Sequence, residues 1–155
     1  MHNVSARRRP AAGAIIAAIA LLCGVPTWPN PGLADGALAV GLPADVAQEG
    51  FAFGIALNKS SAEAASAQAL ADCRTETPGV DKRAQALCAV VGSFRDKCFA
   101  VAMDPQDATP GVGWAIATDK QAASSEALAK CVATAGESRR DACTVTHSDC
   151  DVSAK

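Results

Sequence analysis

Two segments of the chain alternate large apolar residues with small ones, which is the period of a half-buried β-strand. The alternation covers residues 51–57 in the first segment and residues 112–116 in the second. The large residues are Phe51, Phe53, Ile55 and Leu57, followed by Val112, Trp114 and Ile116. We therefore predict one strand in each segment.

A helix is predicted after each of these strands. Ser60 and Glu63 have the spacing of a capping box at a helix start, and Thr118 and Gln121 repeat that spacing. Both helices carry an apolar stripe and are expected to end at a cysteine. The stripes are Ala65, Ala69, Leu70 and Cys73 in the first helix and Ala123, Ala127, Leu128 and Cys131 in the second. Because alanine is small, each helix should lie close to a sheet.

Two shorter strands are predicted after each helix. They cover residues 87–91 and 98–102 in the first half, and residues 142–146 and 150–152 in the second. Residues 104–111 contain two prolines and are expected to link the halves. Each half is thus predicted to follow the order strand, helix, strand, strand.

An internal repeat accompanies this order of elements. The sequence Phe-Gly-Ile-Ala at residues 53–56 recurs 61 residues later as Trp-Ala-Ile-Ala. Cys73 and Cys131 are 58 residues apart, and the next two cysteines in each half recur at 55 and 52 residues. We predict two tandem copies related by a pseudo-twofold axis, with repeat one over residues 51–103 and repeat two over residues 112–152.

The predicted fold class is α+β. Two β-α-β-β repeats would form an antiparallel sheet packed by two helices and cross-linked by three disulfides. One copy alone would bury too little apolar surface to fold, so the copies should share one sheet or one core within a single domain over residues 51–155.

The first 39 residues have the layout of a secretory signal peptide. Three arginines, Arg7 to Arg9, precede an uncharged run over residues 11–25, and small residues follow. The run is shorter than the roughly 20 residues that span a bilayer, so cleavage is preferred over a stable membrane anchor. Cleavage is predicted after Ala39, with Ala34 as the alternative, and residues 40–50 are predicted to be a linker. The mature protein would be secreted or periplasmic.

The charge of the mature chain restricts its partners. A product starting at Val40 has eleven Lys and Arg against fifteen Asp and Glu, a net charge of about −4. Binding to nucleic acid depends on clustered cations, so nucleic acid is excluded as the expected partner. The basic pair Arg139-Arg140 is interpreted as part of a solvated loop. A protein partner is compatible with this surface, and the oligomeric state is left open.

Six cysteines follow the predicted signal peptide. An even number in a small exported domain predicts a disulfide framework, and six cysteines allow fifteen connectivities. Seven of these respect a twofold relation between the copies. We choose the scheme in which each helix end bonds to the cysteine across the next short loop, and the remaining two cysteines bond to each other. The predicted bridges are Cys73–Cys88, Cys131–Cys143 and Cys98–Cys150.

The cysteines and their contexts resemble a bacterial family called domain of unknown function 4189. The matching segments of the first copy are residues 53–56, 69–73, 88–91 and 98–102, and the second set runs from Trp114 to Cys150. The second copy departs from the pattern with Cys-Thr-Val-Thr, where Cys-x-Val-Val is expected. The resemblance implies a secreted or periplasmic protein of this fold. It implies no activity, and no functional residue is carried over.

No catalytic, cofactor-binding or metal-binding residue is predicted. A thiol nucleophile with His147 as its base would need a free cysteine, but all six cysteines after the predicted signal peptide have predicted disulfide partners. A zinc site of Cys131, Cys143, His147 and Cys150 conflicts with an oxidising compartment. Asp104 and Asp107 are too few ligands for calcium. Strand alternation places Phe53 and Trp114 in the core rather than facing a ligand.

We expect an exported, non-enzymatic binding protein. An inhibitor, an immunity-type protein or a host-directed factor would each fit an acidic, cross-linked scaffold without catalytic residues. Two alternatives remain: a hydrolase of envelope polymers that acts through unidentified carboxylates, and a structural envelope protein that associates with itself.

Overall fold

Two three-stranded antiparallel sheets form the framework of the protein. The structure is a computed structural model and describes residues 35–75 and 80–151. In the first sheet, strand β1 (Asp35–Gly41) lies between β2 (Ala52–Lys59) and β3 (Ala89–Phe94). In the second sheet, β4 (Cys98–Met103) lies between β5 (Val112–Ala117) and β6 (Thr144–Cys150).

One long helix covers the outer face of each sheet. Helix α2 (Ala62–Thr75) packs on the first sheet and α4 (Lys120–Thr134) on the second. Two short helices, α1 (Val46–Glu49) and α3 (Lys82–Ala86), and a 3-10 helix at Glu137–Ala142 occupy the connections. Among the described residues, no helix has the length and apolarity that crossing a membrane requires.

The long helices begin one residue later than the sequence predicted. The hydroxyl oxygen of Ser61 accepts a hydrogen bond from Ala64 N at 3.2 Å, so Ser61 rather than Ser60 caps α2. Asp119 caps α4 in the same way, with Oδ1 accepting from Ala122 N at 2.8 Å. Both side chains satisfy an N–H group that has no partner within its helix.

The four layers stack in the order α2, first sheet, second sheet, α4. Between each helix and its sheet the buried residues are almost all alanine and cysteine, which brings the helix backbone close to the strands. The larger apolar side chains fill the space between the two sheets, where Leu38 and Val101 are fully buried on the central strands. The halves therefore share one core, as predicted, but not one sheet.

Two glycines allow the close approach of the two long helices to their sheets. A Cβ atom on Gly54 of β2 would lie 2.2 Å from both Ala69 O and Cys73 N of α2. A Cβ atom on Gly113 of β5 would lie 2.2 Å from Ala127 O and 2.5 Å from Cys131 N of α4. At both positions only glycine fits without displacing the helix.

The structure corrects the predicted assignment of strands. Residues 98–102 were assigned as the third strand of the first half, but β4 pairs with β5 and β6 and is the central strand of the second sheet. The first sheet obtains its central strand from residues 35–41, which the sequence assigned to the signal peptide and to a linker over residues 40–50. All seven residues of β1 are buried, and α1 occupies part of the predicted linker.

Three disulfides cross-link the layers. Cys73–Cys88 joins the end of α2 to the residue before β3, and Cys131–Cys143 joins α4 to the residue before β6. Cys98–Cys150 joins β4 to β6 at directly opposed positions of the ladder. These are the three pairs proposed from the spacing of the cysteines. The remainder of the predicted signal peptide, residues 1–34, lies outside the described residues.

Candidate functional site

Two aspartates with buried side chains are bound by arginines. Arg95 binds Asp35 with two hydrogen bonds, Nε to Oδ1 at 3.0 Å and Nη2 to Oδ2 at 2.8 Å. Arg139 binds Asp104 with the same bidentate geometry: Nε donates to Oδ2 at 2.7 Å and Nη2 donates to Oδ1. The hydrogen bonds from Arg139, with one from Gln106 N, lower the pKa of Asp104 to about 2. Charge-assisted pairs of this geometry hold two segments of the chain together.

The Asp104–Arg139 pair should make the stability of the protein depend on pH in acid. Because the pKa of Asp104 is lower in the folded protein, its contribution is fully present above the unfolded pKa of about 3.9 and disappears as the pH falls through about 2. We expect the difference in unfolding free energy between the wild type and Asp104→Asn to be constant from pH 7 to pH 5 and to shrink from about pH 4 to pH 2. Urea unfolding of both proteins at these pH values measures this difference in unfolding free energy. The exposed Asp107→Asn is the control, and a difference that grows in acid would contradict the prediction.

The candidate thiol and metal sites do not assemble. All six cysteines that follow the predicted signal peptide are paired in disulfides, so none of them is a thiol that His147 could activate or a thiolate for the candidate zinc site. His147 is exposed on β6, with its ring 5.0 Å from the ring of Phe53. Both carboxylate oxygens of Asp104 bind Arg139. Within residues 35–75 and 80–151, no three potential metal-ligating side chains come together.

An open apolar cavity of about 530 Å³ lies at the outer edge of β5. The segment after β1 forms one wall, the start of β5 forms another, and the last turn of α4 forms the third. Its principal lining residues are Leu42, Val46, Pro110, Trp114, Lys130 and Thr134. The volume falls within the usual range for pockets that bind small molecules, roughly 300 to 1,000 Å³. We call this space the Trp114 cavity.

Trp114 reaches the cavity because of its position at the boundary of the inter-sheet core. Its ring stacks on Phe51 with the ring centres 5.7 Å apart, and it remains half-buried. The sequence placed Trp114 and Phe53 in the core, but the structure places both at its border. Trp114 therefore combines a packed face with a face that is open to the cavity.

Two polar side chains of α4 complete the cavity wall. Lys130 Nζ donates to Trp114 O at 2.9 Å, and Thr134 Oγ1 accepts from Val112 N at 2.9 Å. Both bonds satisfy backbone groups of β5 that do not pair with β4. The outer edge of this strand is thus closed by side chains at Val112 and Trp114, which hinders pairing with another strand there.

A second and more polar cavity, of about 900 Å³, lies between α1 and the loop after β4. Phe51, Phe53 and Met103 contribute apolar surface, while Glu49 and Asp107 make its rim acidic. It is the larger of the two cavities, and the charged residues in its lining are all acidic.

A family model named Domain of unknown function (DUF4189) matches residues 36–150. The chain belongs to this family. The DUF4189 match contains all or nearly all of each of the six strands and begins within β1, which agrees with the role of β1 as a central strand. Searches of curated proteins and of solved structures found no significant match. Membership in DUF4189 therefore identifies the domain without naming a site, and the Trp114 cavity rests on geometry alone. Sequence reasoning missed it because its walls come from three separate segments.

Proposed function

We propose that this DUF4189 protein is an exported, non-enzymatic binding protein whose ligand occupies the Trp114 cavity. The observation that carries the proposal is an open apolar cavity with an aromatic wall and a single lysine among its lining residues. Three disulfides are compatible with an exported protein, because such bonds persist in oxidising compartments. The inhibitor, immunity-type and host-directed roles are all uses of such a binding surface.

We further infer that the domain arose by tandem duplication, with units at residues 35–94 and 98–150 related by a pseudo-twofold axis. Both units follow the order strand, strand, helix, strand and place the first strand at the centre of the sheet. Gly54 and Gly113 meet equivalent backbone atoms of their helices, which supports the alignment. The unit boundaries differ from those predicted from the sequence because the first strand of each unit is now included.

The duplication bears on function because the two units differ at the cavity. Aligning Gly54 with Gly113 places Ile55 opposite Trp114, and aligning the helix cysteines places Asp72 opposite Lys130. The aromatic wall and the lysine thus exist only in the second unit. The strand glycine, the helix alanines and the cysteines recur in both units, whereas the two groups best suited to hold a ligand do not. This divergence is expected if the second unit acquired a binding site.

Export should yield a protein that begins at Asp35. Cleavage after Ala39 would remove residues 35–39 of β1, including Asp35, whose carboxylate binds Arg95. Cleavage after Ala34 follows the small residues Gly32 and Ala34 and leaves β1 intact. The intact mass of the exported product decides between the two sites. A mature start at Val40 would contradict both this prediction and the described first sheet.

Fluorescence of the mature protein tests the cavity directly. The chain has two tryptophans and no tyrosine, and Trp28 would be removed with the signal peptide, so the remaining signal comes from Trp114. We expect the apolar dye anilinonaphthalene sulfonate to bind at one site and to quench Trp114. Ala133→Phe should weaken this binding about tenfold or more by filling the cavity, which corresponds to a loss of about 1.4 kcal/mol in binding free energy. Ala67→Phe, at an exposed position of α2 that is not part of the cavity lining, is the matched control. Equal binding by both variants would contradict the proposal.

Self-association is a second candidate, and β3 favours it. Three exposed large apolar residues lie on or just before this uncharged edge strand: Leu87, Val90 and Val91, with 52, 37 and 45% of their surface exposed. Uncharged edge strands pair readily with other strands. Sizing should then give a dimer that Val91→Lys converts to a monomer, whereas a monomeric wild type would remove this candidate. No comparable observation favours the hydrolase, because the carboxylates of Asp35 and Asp104 are held by arginines.

A further inference from the structure

We infer that the ligand of the Trp114 cavity is an anionic amphiphile, a single apolar chain ending in a carboxylate, with the carboxylate bound by Lys130. This inference rests on the proposed binding function and names the chemical class that the cavity selects. It follows from three features of the cavity: its cation, its apolar lining and the closed strand edge beside it.

The cation is held at the cavity wall. Lys130 Nζ donates one hydrogen bond to the backbone oxygen of Trp114 at 2.9 Å, which holds the ammonium group at this point of β5. An ammonium group has three N–H donors, so two remain for an incoming oxygen atom. Lys130 is exposed, so a carboxylate can approach it from solvent without being buried. In an acidic protein, this lysine is the group at the cavity that attracts an anion.

The acidic residue of the lining is already engaged. Asp45 Oδ1 accepts a hydrogen bond from Gln48 N at 3.1 Å and caps α1. A cationic head group would bind Asp45 instead of Lys130, and this is the main competing head-group chemistry. The two alternatives differ in the sign of the charge, so matched ligands separate them.

The apolar part of the ligand would contact Trp114, Leu42 and Pro110. Leu42 is 47% exposed, and the structure places it at the cavity instead of in the core. Covering such a side chain with a hydrocarbon chain stabilises the complex by about 25 cal/mol for each Å² of apolar surface removed from water. A chain of about twelve carbons suits a pocket in the small-molecule size range.

The strand edge beside the cavity argues against an extended peptide as the ligand. Peptides that bind beside a sheet usually form main-chain hydrogen bonds with an edge strand. At β5, Thr134 and Lys130 already bind Val112 N and Trp114 O. A peptide would have to displace both side chains, whereas an amphiphile needs no main-chain partner.

The experiment uses the mature protein with its three disulfides intact. Three ligands with the same twelve-carbon chain, dodecanoate, dodecanol and dodecyltrimethylammonium, are titrated below their micelle concentrations. Trp114 fluorescence and calorimetry give the affinities. We expect dodecanoate to bind about tenfold more tightly than dodecanol, in line with one charge-assisted hydrogen bond, and the cation to bind most weakly.

Variants identify the group that recognises the carboxylate. Lys130→Gln should reduce the affinity for dodecanoate to that for dodecanol, while Lys130→Arg should retain the preference. Lys120→Gln is the matched control, because Lys120 is an exposed lysine on the same helix that pairs with Asp149 away from the cavity. Thermal unfolding of each variant confirms that it is folded.

The outcomes separate the inference from the proposed function. If all three ligands bind equally well and Ala133→Phe weakens each of them, the cavity is a binding site but the carboxylate inference is wrong. Tightest binding of the cation would also overturn the inference, and would point to Asp45. If no ligand perturbs Trp114 and the dye does not bind either, the proposed function of the cavity fails as well.

Discussion

Gly54→Ala is expected to destabilise the protein by about 3 kcal/mol or more, because the added methyl group has no space. Its Cβ atom would lie 2.2 Å from Ala69 O and from Cys73 N, both backbone atoms of α2. Backbone atoms cannot rotate away as a side chain can, and the Cys73–Cys88 bridge holds this end of the helix. The midpoint of urea unfolding under non-reducing conditions measures the loss.

The control for this prediction is Gly92→Ala on β3. A Cβ atom there would meet only Ile116 Cδ1, at 2.6 Å, and the end of an isoleucine side chain can move. We expect a loss below about 1 kcal/mol. Gly113→Ala should behave like Gly54→Ala, since it would meet Ala127 O and Cys131 N in the same way. Similar unfolding midpoints for Gly54→Ala and Gly92→Ala would contradict the described approach of α2 to the first sheet.

The helices and bridges could be predicted from the sequence because their signals are local. The alanine stripes that end at Cys73 and Cys131 predict which faces are buried, and both faces pack on sheets in the structure. The short loops after these cysteines restrict their bonding partners, which is why spacing alone suggested the observed pairs. The caps were displaced by one residue, because Ser60 and Ser61 are adjacent and both can cap a helix.

The strand grouping could not be predicted because it depends on long-range pairing. The strand sequence at residues 98–103 is compatible with either sheet, and only its ladders with β5 and β6 assign it to the second. The small residues of β1 also fit the cleavage region of a signal peptide. The pattern of Asp35–Gly41 was therefore compatible both with an export signal and with a strand. Under the proposed duplication, the sequence match at residues 53–56 is also two residues out of register, because Gly54 and Gly113 meet similar backbone atoms of their helices.

The site was harder to predict than the fold. Trp114 alternates with small residues, as a core residue would, and nothing local shows that Leu42 and Lys130 approach it. Under the proposed duplication, the useful signal is a difference between the two units. After structural alignment, the second unit has tryptophan and lysine where the first has isoleucine and aspartate. If the units are duplicates, comparing them for what they do not share is a way to find a candidate binding site.

Removing the Cys98–Cys150 bridge is expected to cost more stability than removing either of the other two. It closes 52 residues, against 15 for Cys73–Cys88 and 12 for Cys131–Cys143. The loop-entropy relation then predicts a loss of about 4 kcal/mol for the long loop and about 3 kcal/mol for each short one. A domain of this size has an unfolding free energy of roughly 5 to 15 kcal/mol, so reduction of all three bridges should unfold it.

Paired alanine variants measure these losses without leaving an unpaired thiol. Cys98→Ala with Cys150→Ala removes the long-range bridge, and Cys131→Ala with Cys143→Ala is the matched control within the same unit. Alanine is preferred to serine because Cys98 is 2% exposed and a hydroxyl there would be buried. The first double variant should have the lower urea midpoint. If the control variant loses more stability, local packing at the end of α4 contributes more than the closure of the long loop between β4 and β6. The loop-entropy explanation of the disulfide framework would then be wrong.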